Sequence, residues 1–262
     1  MECEDQMNQT TDSKYECLLF DLDDTLYPLT SGISSEVTKN IQEYMIKKLG
    51  IEEAKVPGLC ASLYKYYGTT MAGLKALGYN FDYEDFHSFV HGRLPYTMLK
   101  ADPILRKLML SLPIRKVIFT NADKNHAARV LNRLGLEDCF EGIISVETLN
   151  PINKDNSSAA DDLKSNTAIF DIDSYCVFKI ANINPQKTLF FDDSIRNLQT
   201  GKNMGLQTVW VGTSHRTDGV DYALESIHNI REAVPELWEA ANEKDENFQQ
   251  PGKISVETKV RA

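Results

Sequence analysis

Five short apolar runs punctuate the chain, at Tyr15 to Phe20, Lys116 to Phe119, Gly142 to Val146, Thr188 to Phe191 and Gln207 to Val211. Each has the length and composition of a strand, and the Tyr, Leu, Leu and Phe of the first suit a strand covered on both faces of a parallel sheet. Helical patterns separate the runs, and strands alternating with helices predict an α/β protein. Asn125 to Leu134 and Asn197 to Met204 are the expected crossover helices, each closed by a glycine, Gly135 and Gly205, in the C-terminal cap position. From Tyr27 to about Pro113 the chain is rich in helix formers, with breaks at Gly50, Pro57 to Gly58, Gly78 and Pro95. A helical unit is therefore expected at 28–113, inserted after the first strand into a sheet domain made of 15–27 and 114–238. The ends, 1–14 and 239–262, are polar and expected to be disordered; the second carries Pro251 and Gly252 and has no apolar periodicity. There is no internal repeat.

Chemistry gathers where the strands stop. The first run leads into Asp21 and Asp23, the fourth into Asp192, Asp193 and Ser194, and the second into Thr120 and Asn121. In a parallel sheet these positions share the crevice at the C-terminal edge. Two strands ending in carboxylates can hold one divalent ion, and hard oxygen ligands with open positions suit magnesium, which keeps several waters and accepts a phosphate oxygen. A calcium-binding EF-hand loop is excluded, because Leu26 stands where that loop needs its sixth-position glycine.

Asp-x-Asp-x-Thr at Asp21 to Thr25, Phe-Thr-Asn at Phe119 to Asn121 and Phe-Phe-Asp-Asp-Ser at Phe190 to Ser194 resemble motifs one, two and four of the haloacid dehalogenase-like hydrolases. Asp-Leu-Asp-Asp-Thr-Leu-Tyr-Pro from Asp21, Gly92 to Tyr96, Thr120 to Ala127 and Ser194 to Lys202 further resemble the plant and fungal pyrimidine 5′-nucleotidase branch, which includes the suppressor-of-disruption-of-TFIIS proteins. The resemblance runs from about Tyr15 to Trp238. It implies a doubly wound, Rossmann-like parallel sheet under a helical cap that closes over the crevice. By the same resemblance Asp21 is the nucleophile that becomes an aspartyl-phosphate, and Asp23 protonates the leaving alkoxide and then activates water. Thr120 and Asn121 hold the transferring phosphoryl oxygens, and Mg²⁺ is bound by Asp21, Asp23 (through its carbonyl), Asp193 and Asp192. A second Asp favours a phosphatase over a dehalogenase, since a halide leaving group needs no proton. Small phosphorylated metabolites, nucleoside 5′-monophosphates foremost, are the implied substrates; a sugar-phosphate phosphatase or mutase is the alternative within the fold. Arg93, beside Pro95 and Tyr96, is a candidate for a substrate phosphate or base. Tyr64, Tyr66 and Tyr67 are candidates for a nucleobase platform, although aromatics at helical spacing more often form core.

The pattern then breaks. The family carries a Lys, usually in Lys-Pro, on the helix before the fourth strand, where it neutralises the nucleophile and the phosphate. Between Gly142 and Asp192 this chain has no Lys-Pro. Ile169 to Tyr175 reads like the polar insert ahead of that helix and Phe178 to Thr188 like its later part, so some two dozen residues are inferred to be missing between Tyr175 and Val177, as an altered transcript would produce. With Ile169 to Ile180 taken as a helix, Lys179 lies about 15 Å down it at helical rise, whereas Lys154 and Lys164 precede it on the correct side of the sheet. Loss of one electrostatic stabiliser costs roughly 10²- to 10³-fold in rate, so a weakened or inactive enzyme is expected, and a catalytically impaired binding or regulatory isoform is the second reading. If Ile169 to Ile180 cannot fill the place of the full helix, Ile, Phe and Val side chains of one sheet face are expected to meet water.

The remaining features narrow the class. A chain of 262 residues with 42% hydrophobic content fits one α/β core plus an insertion. Its net charge of -10 argues against nucleic acid or an anionic membrane as partner. No stretch is long and apolar enough to span a bilayer, and Met1 to Lys14 does not read as a signal peptide, which points to the cytoplasm with a nuclear share left open. Oligomeric state is not legible. Cys3, Cys17, Cys60, Cys139 and Cys176 are scattered, odd in number and without Cys-x-x-Cys, as reduced thiols are. His87 and His91 sit four apart, as metal ligands on a helix can, but no third ligand accompanies them, and Tyr83, Phe86, Phe89 and Val90 around them read as a packing face. His126 is expected on the helix after Thr120.

Overall fold

The structure, a computed structural model, describes residues 14–145, 178–179 and 181–238. Six strands form one parallel sheet: β1 (Cys17–Phe20), β2 (Arg115–Phe119), β3 (Gly142–Ile144), β4 (Thr188–Asp192), β5 (Gln207–Val211) and β6 (Tyr222–Leu224). Their spatial order is β3-β2-β1-β4-β5-β6, the doubly wound arrangement in which the chain leaves the central strand first to one side and then to the other. Phe20 pairs with Ile118 and with Phe191, so the strand ends are level and the residues that follow them emerge together. β6 is absent from the expectation because three residues, Tyr-Ala-Leu, are too few to show any period.

Both faces of the sheet are covered. On one, Leu18, Phe20, Ile118 and Phe191 pack against α5 (Pro103–Ser111) and α6 (Lys124–Leu134). Phe20 and Phe191 stack at 4.5 Å between ring centroids, and burying such side chains is worth about 1.5–3 kcal/mol each. On the other face Leu19, Val117 and Phe190 meet Leu198 of α7 (Ile195–Asn203) together with Ala181 and Ile183. Leu19, Val117 and Phe190 are all buried, so the expected exposure of apolar sheet residues does not occur among the described residues. Helix α6 shows why its segment folds locally: Asp123 caps it by accepting from the His126 N–H, and Gly135 at φ 71° ends it in the left-handed conformation.

The inserted unit has its own core. Helices α1 (Ile33–Lys47), α2 (Val56–Tyr67), α3 (Thr70–Ala76) and α4 (Tyr83–His91) enclose Tyr44, Met45, Leu63, Leu74, Phe86 and Val90. Two expectations need correction here. The unit does not extend to residue 113, because Leu94, Leu99 and the α5 residues Leu105 and Met109 are buried in the sheet domain's core instead. Pro57 does not break a helix but opens α2, where its missing N–H is not needed.

Candidate active site

At the end of β1 the chain turns at once. The Asp21 N–H still bonds to Phe191 O at 2.8 Å, and Leu26 N–H closes back on Leu22 O at 3.0 Å. Between them Asp24 takes φ 59°, a region sparsely used by residues other than glycine. The Ser34 hydroxyl on α1 donates to Asp24 Oδ2 at 2.6 Å, which ties the turn to the inserted unit.

Asp21, Asp192 and Asp193 come together at the switch point of the sheet, each offering a carboxylate oxygen within 4.8 Å of the others. Thr25 Oγ1 donates to Asp21 Oδ2 at 3.1 Å. Asp192 is fixed by the Ser194 N–H at 2.7 Å and by the Asn197 amide at 3.1 and 3.2 Å, which leaves lone pairs for a further partner. Burial, and then the charge of Asp192, push the Asp21 carboxyl well above its usual range. Burial, and then Asp193, push Asp192 up to about 8; Asp193, raised first by burial and then by Asp24, reaches about 6. Three acids that oppose one another's ionisation form a site that a cation relieves. The all-oxygen donor set fits Mg²⁺.

Asp23 sits in a different environment. Tyr27 Oη donates to its Oδ1 at 2.5 Å, and His126 Nε2 lies 2.7 Å from the same oxygen. Desolvation works to raise the Asp23 pKa, but the His126 charge and hydrogen bonds from His126 and Tyr27 hold it below the usual value. The same partnership raises His126 against the lowering effect of burial. Two carboxylates two residues apart thus have their pKa values driven in opposite directions in the ion-free site, Asp21 by burial and its acid neighbours and Asp23 by His126 and Tyr27. His126 is the functional residue that sequence reasoning placed on a helix without a role. Its signal was position, since the third residue after an N-cap aspartate at a strand's C-terminal end faces the crevice.

A cavity of about 410 Å³ opens above these groups. Its floor includes Asp21, Asp23, Thr120, Asn121, Asp193 and Asn197, and its roof includes Val37, Ile41, Tyr64, Met71, Phe86 and Val90 from the inserted unit. Thr120 is buried, with its N–H bonded to Ile144 O at 3.0 Å. The structure therefore brings Asp21, Asp23, Thr120, Asn121 and Asp193 together around one space, with Asp192 directly behind. It does not bring Arg93, which is exposed, pairs with Glu43 at 2.8 Å and stacks over Phe89. The three tyrosines separate: Tyr64 lines the cavity though largely exposed, Tyr66 is exposed away from it and Tyr67 packs against the inserted unit's core. Among the described residues that line the cavity there is no Lys or Arg. Lys179 is exposed and does not line it. Lys154, Lys164 and the Tyr175 to Val177 junction lie outside the described residues.

Paired aspartates at the ends of two central parallel strands, beneath a helical unit inserted after the first, define a hydrolase of the haloacid dehalogenase-like class. Residues 15–205 match that family, and the chain belongs to it. It is 27% identical over 224 residues to Phosphate metabolism protein 8 of Saccharomyces cerevisiae, covering 82% of this chain and 66% of the yeast protein, so it spans just under two thirds of that relative's length. Among solved structures it is similar to a HAD phosphatase from Thermococcus onnurineus, with a TM-score of 0.51 and 17% identity over 83% of this chain and 96% of that one. A putative HAD-hydrolase from Bacillus subtilis aligns with a TM-score of 0.49 and 18% identity, over 83% and 97% of the two chains. No helix among the described residues is long and apolar enough to cross a membrane.

Proposed function

We propose that this chain is a magnesium-dependent phosphomonoesterase acting through an aspartyl-phosphate on Asp21, with nucleoside 5′-monophosphates as its foremost substrates. The observation that carries the reading is the pair of unlike carboxylates: Asp21 among acids that a cation would relieve, and Asp23 hydrogen-bonded to His126 and Tyr27. An Asp21 oxygen attacks phosphorus. As the ester bond lengthens, the departing alkoxide takes a proton carried on the Asp23 oxygen that bonds neither Tyr27 nor His126, and His126 and Tyr27 stabilise the carboxylate left behind. Asp23, again a base, then removes a proton from the water that opens the acyl phosphate. Thr120 and Asn121 hold the phosphoryl oxygens, and Asp192, Asp193 and Asp21 hold Mg²⁺. When bound, Mg²⁺ offsets the negative charge of nucleophile and phosphate. The phosphate-related name of the yeast relative and the branch resemblance at Gly92 to Tyr96 and Thr120 to Ala127 support the reading. The apolar roof with Tyr64 suits a flat nucleobase better than a sugar hydroxyl array.

The absence of a basic side chain among the described lining residues favours a second reading, an impaired isoform that binds magnesium or phosphorylated ligands without turning them over. One experiment separates the two. Phosphate release from nucleotides and sugar phosphates with Mg²⁺ is compared for this chain, for Asp21→Asn and for a chain with a Lys-Pro helix restored before β4. Activity lost in Asp21→Asn supports the phosphatase. Silence here with activity in the restored chain supports the impaired isoform, and activity surviving Asp21→Asn overturns the assignment of the nucleophile.

A further inference from the structure

A second cluster of ligating side chains, chemically unlike the first, lies where the inserted unit meets the sheet domain. His87 and His91 are one turn apart on α4, and their rings stack with centroids 5.4 Å apart. Asp123, the residue missing from the sequence pattern, reaches them from the N-cap of α6. Its Oδ1 accepts the His126 N–H at 2.9 Å, which turns Oδ2 toward α4. That oxygen lies 3.6 Å from His87 Nδ1 and is hydrogen-bonded to His91 Nδ1. All three side chains are nearly buried, and one ligand atom from each lies within 4.8 Å of the others.

We propose that His87, His91 and Asp123 form a site for a zinc-type divalent cation that pins the inserted unit against the sheet domain. Bonds of 2.0–2.1 Å to a tetrahedral ion place ligand atoms about 3.3 Å apart, close to the 3.6 Å between His87 and Asp123. His91 Nδ1 moves off the Asp123 oxygen as its lone pair turns to the ion. The hydrogen between them shifts to the other ring nitrogen or leaves to solvent, which balances the step. The His126 N–H supplies the outer support that orients a ligating carboxylate. His87 and His91 also line the cavity, so the fourth position is open to water or to a ligand there.

Donor chemistry separates this site from the acidic one. Two imidazoles and one carboxylate favour Zn²⁺ or Co²⁺, whereas the three carboxylates of Asp21, Asp192 and Asp193 favour Mg²⁺. The inference does not depend on the phosphatase reading. Two ligands ride on the inserted unit and one on the sheet domain, so an ion here opposes their separation whatever reaction the cavity supports.

The test titrates Zn²⁺ by calorimetry into the full chain held in excess Mg²⁺, with Co²⁺ absorption as a reporter of geometry. The expected result is one Zn²⁺ per chain, a raised Tm and the intense visible bands of four-coordinate Co²⁺. His91→Ala and His87→Gln are each expected to weaken Zn²⁺ at least about tenfold, the lower range for disturbing a site's support, while Asp193→Asn leaves its affinity unchanged. The second His variant and the Co²⁺ spectrum keep the test open if one substitution fails to fold. Absence of stoichiometric binding overturns the proposal and leaves a hydrogen-bonded His/Asp contact between the two units. An equal loss in Asp193→Asn, or the weak bands of six-coordinate Co²⁺, overturns it by assigning the ion to the acidic cluster.

Discussion

Raising the pH of the magnesium-free protein should destabilise it, and Mg²⁺ should reverse the effect. Asp192 is 2% exposed and its pKa stands near 8, against an ordinary value of 3.8. Its folded-state pKa exceeds its unfolded one, so the folded chain binds the proton more tightly and stability falls as pH climbs from about 4 toward 8. At about 1.4 kcal/mol per pKa unit, the loss from Asp192 alone is on the order of 4 kcal/mol by pH 7. Asp21 acts in the same direction. His126, with its raised pKa, adds a further loss above its usual titration range. His91, lowered first by burial, works the other way just below pH 6.5, whereas Asp23 and Asp123, both held low, exert their effects at more acid pH. At about 2–4 °C per kcal/mol for a chain of this size, Tm should fall by roughly 10 °C between pH 5 and pH 8 in chelator. At one fixed concentration, a hundred times its Kd at pH 8, Mg²⁺ should restore about 2.7 kcal/mol at pH 8 and less at pH 5, where protonated carboxylates weaken its binding. Thermal melts of the parent and of Asp192→Asn, with and without Mg²⁺, make the measurement. A flat Tm from pH 5 to 8 in chelator, or an Mg²⁺ shift of equal size at both ends, would refute the electrostatic reading of the cluster.

Three further substitutions probe neighbouring links. His126→Asn removes a bond to a charged partner worth about 1.5–3 kcal/mol; with phosphate release as the assay, kcat should fall about 10- to 100-fold with little change in KM, and an unchanged kcat would show that Asp23 does not depend on His126. Arg196 of α7 donates to the carbonyls of Tyr64, Lys65 and Tyr66 at the end of α2, at 3.5, 3.0 and 3.1 Å. Arg196→Ala should speed hydrogen exchange in that turn while changing stability by under about 1 kcal/mol, and unchanged exchange would mean the contact does not hold the inserted unit down. A Cβ on Gly73 would lie 2.7 Å from Leu63 Cβ and Cδ2. Gly73→Ala should therefore cost about 1–3 kcal/mol in thermal melts, and a neutral result would show that α3 can move away from α2.

Most of the frame was legible because parallel strands buried on both faces are apolar throughout and stop abruptly at polar residues. Five of the six strands, both crossover helices and the convergence of Asp21, Thr120 and Asp192–Asp193 could be read that way. The partnerships could not. His126 reaches Asp23 across 103 positions, and Asp123 meets His87 and His91 only because α6 begins beside the end of α4. No local period encodes such meetings. Arg93 misled for the opposite reason: its neighbours Pro95 and Tyr96 do lie near the sheet domain, but its own side chain finds Glu43 and the ring of Phe89 on the insert's surface. The boundary of the insert was placed too late because α5 is amphipathic like the helices before it, and only its neighbours reveal which core receives its apolar face.

The strand order bears on how much sequence the fold can lose. β3 and β4 are three places apart in the sheet, about 14 Å at the usual strand spacing, and a crossover between parallel strands needs only some 10–12 residues. About forty residues separate Ile144 from Thr188. This connection therefore has length to spare, unlike the link from β4 to β5, where a single helix and its turns occupy all of the chain between strands. The pairing of β1 with β4 that aligns the aspartates is made outside that link. In such an architecture the length of one connection can vary while the strand pairing that sets the site is kept.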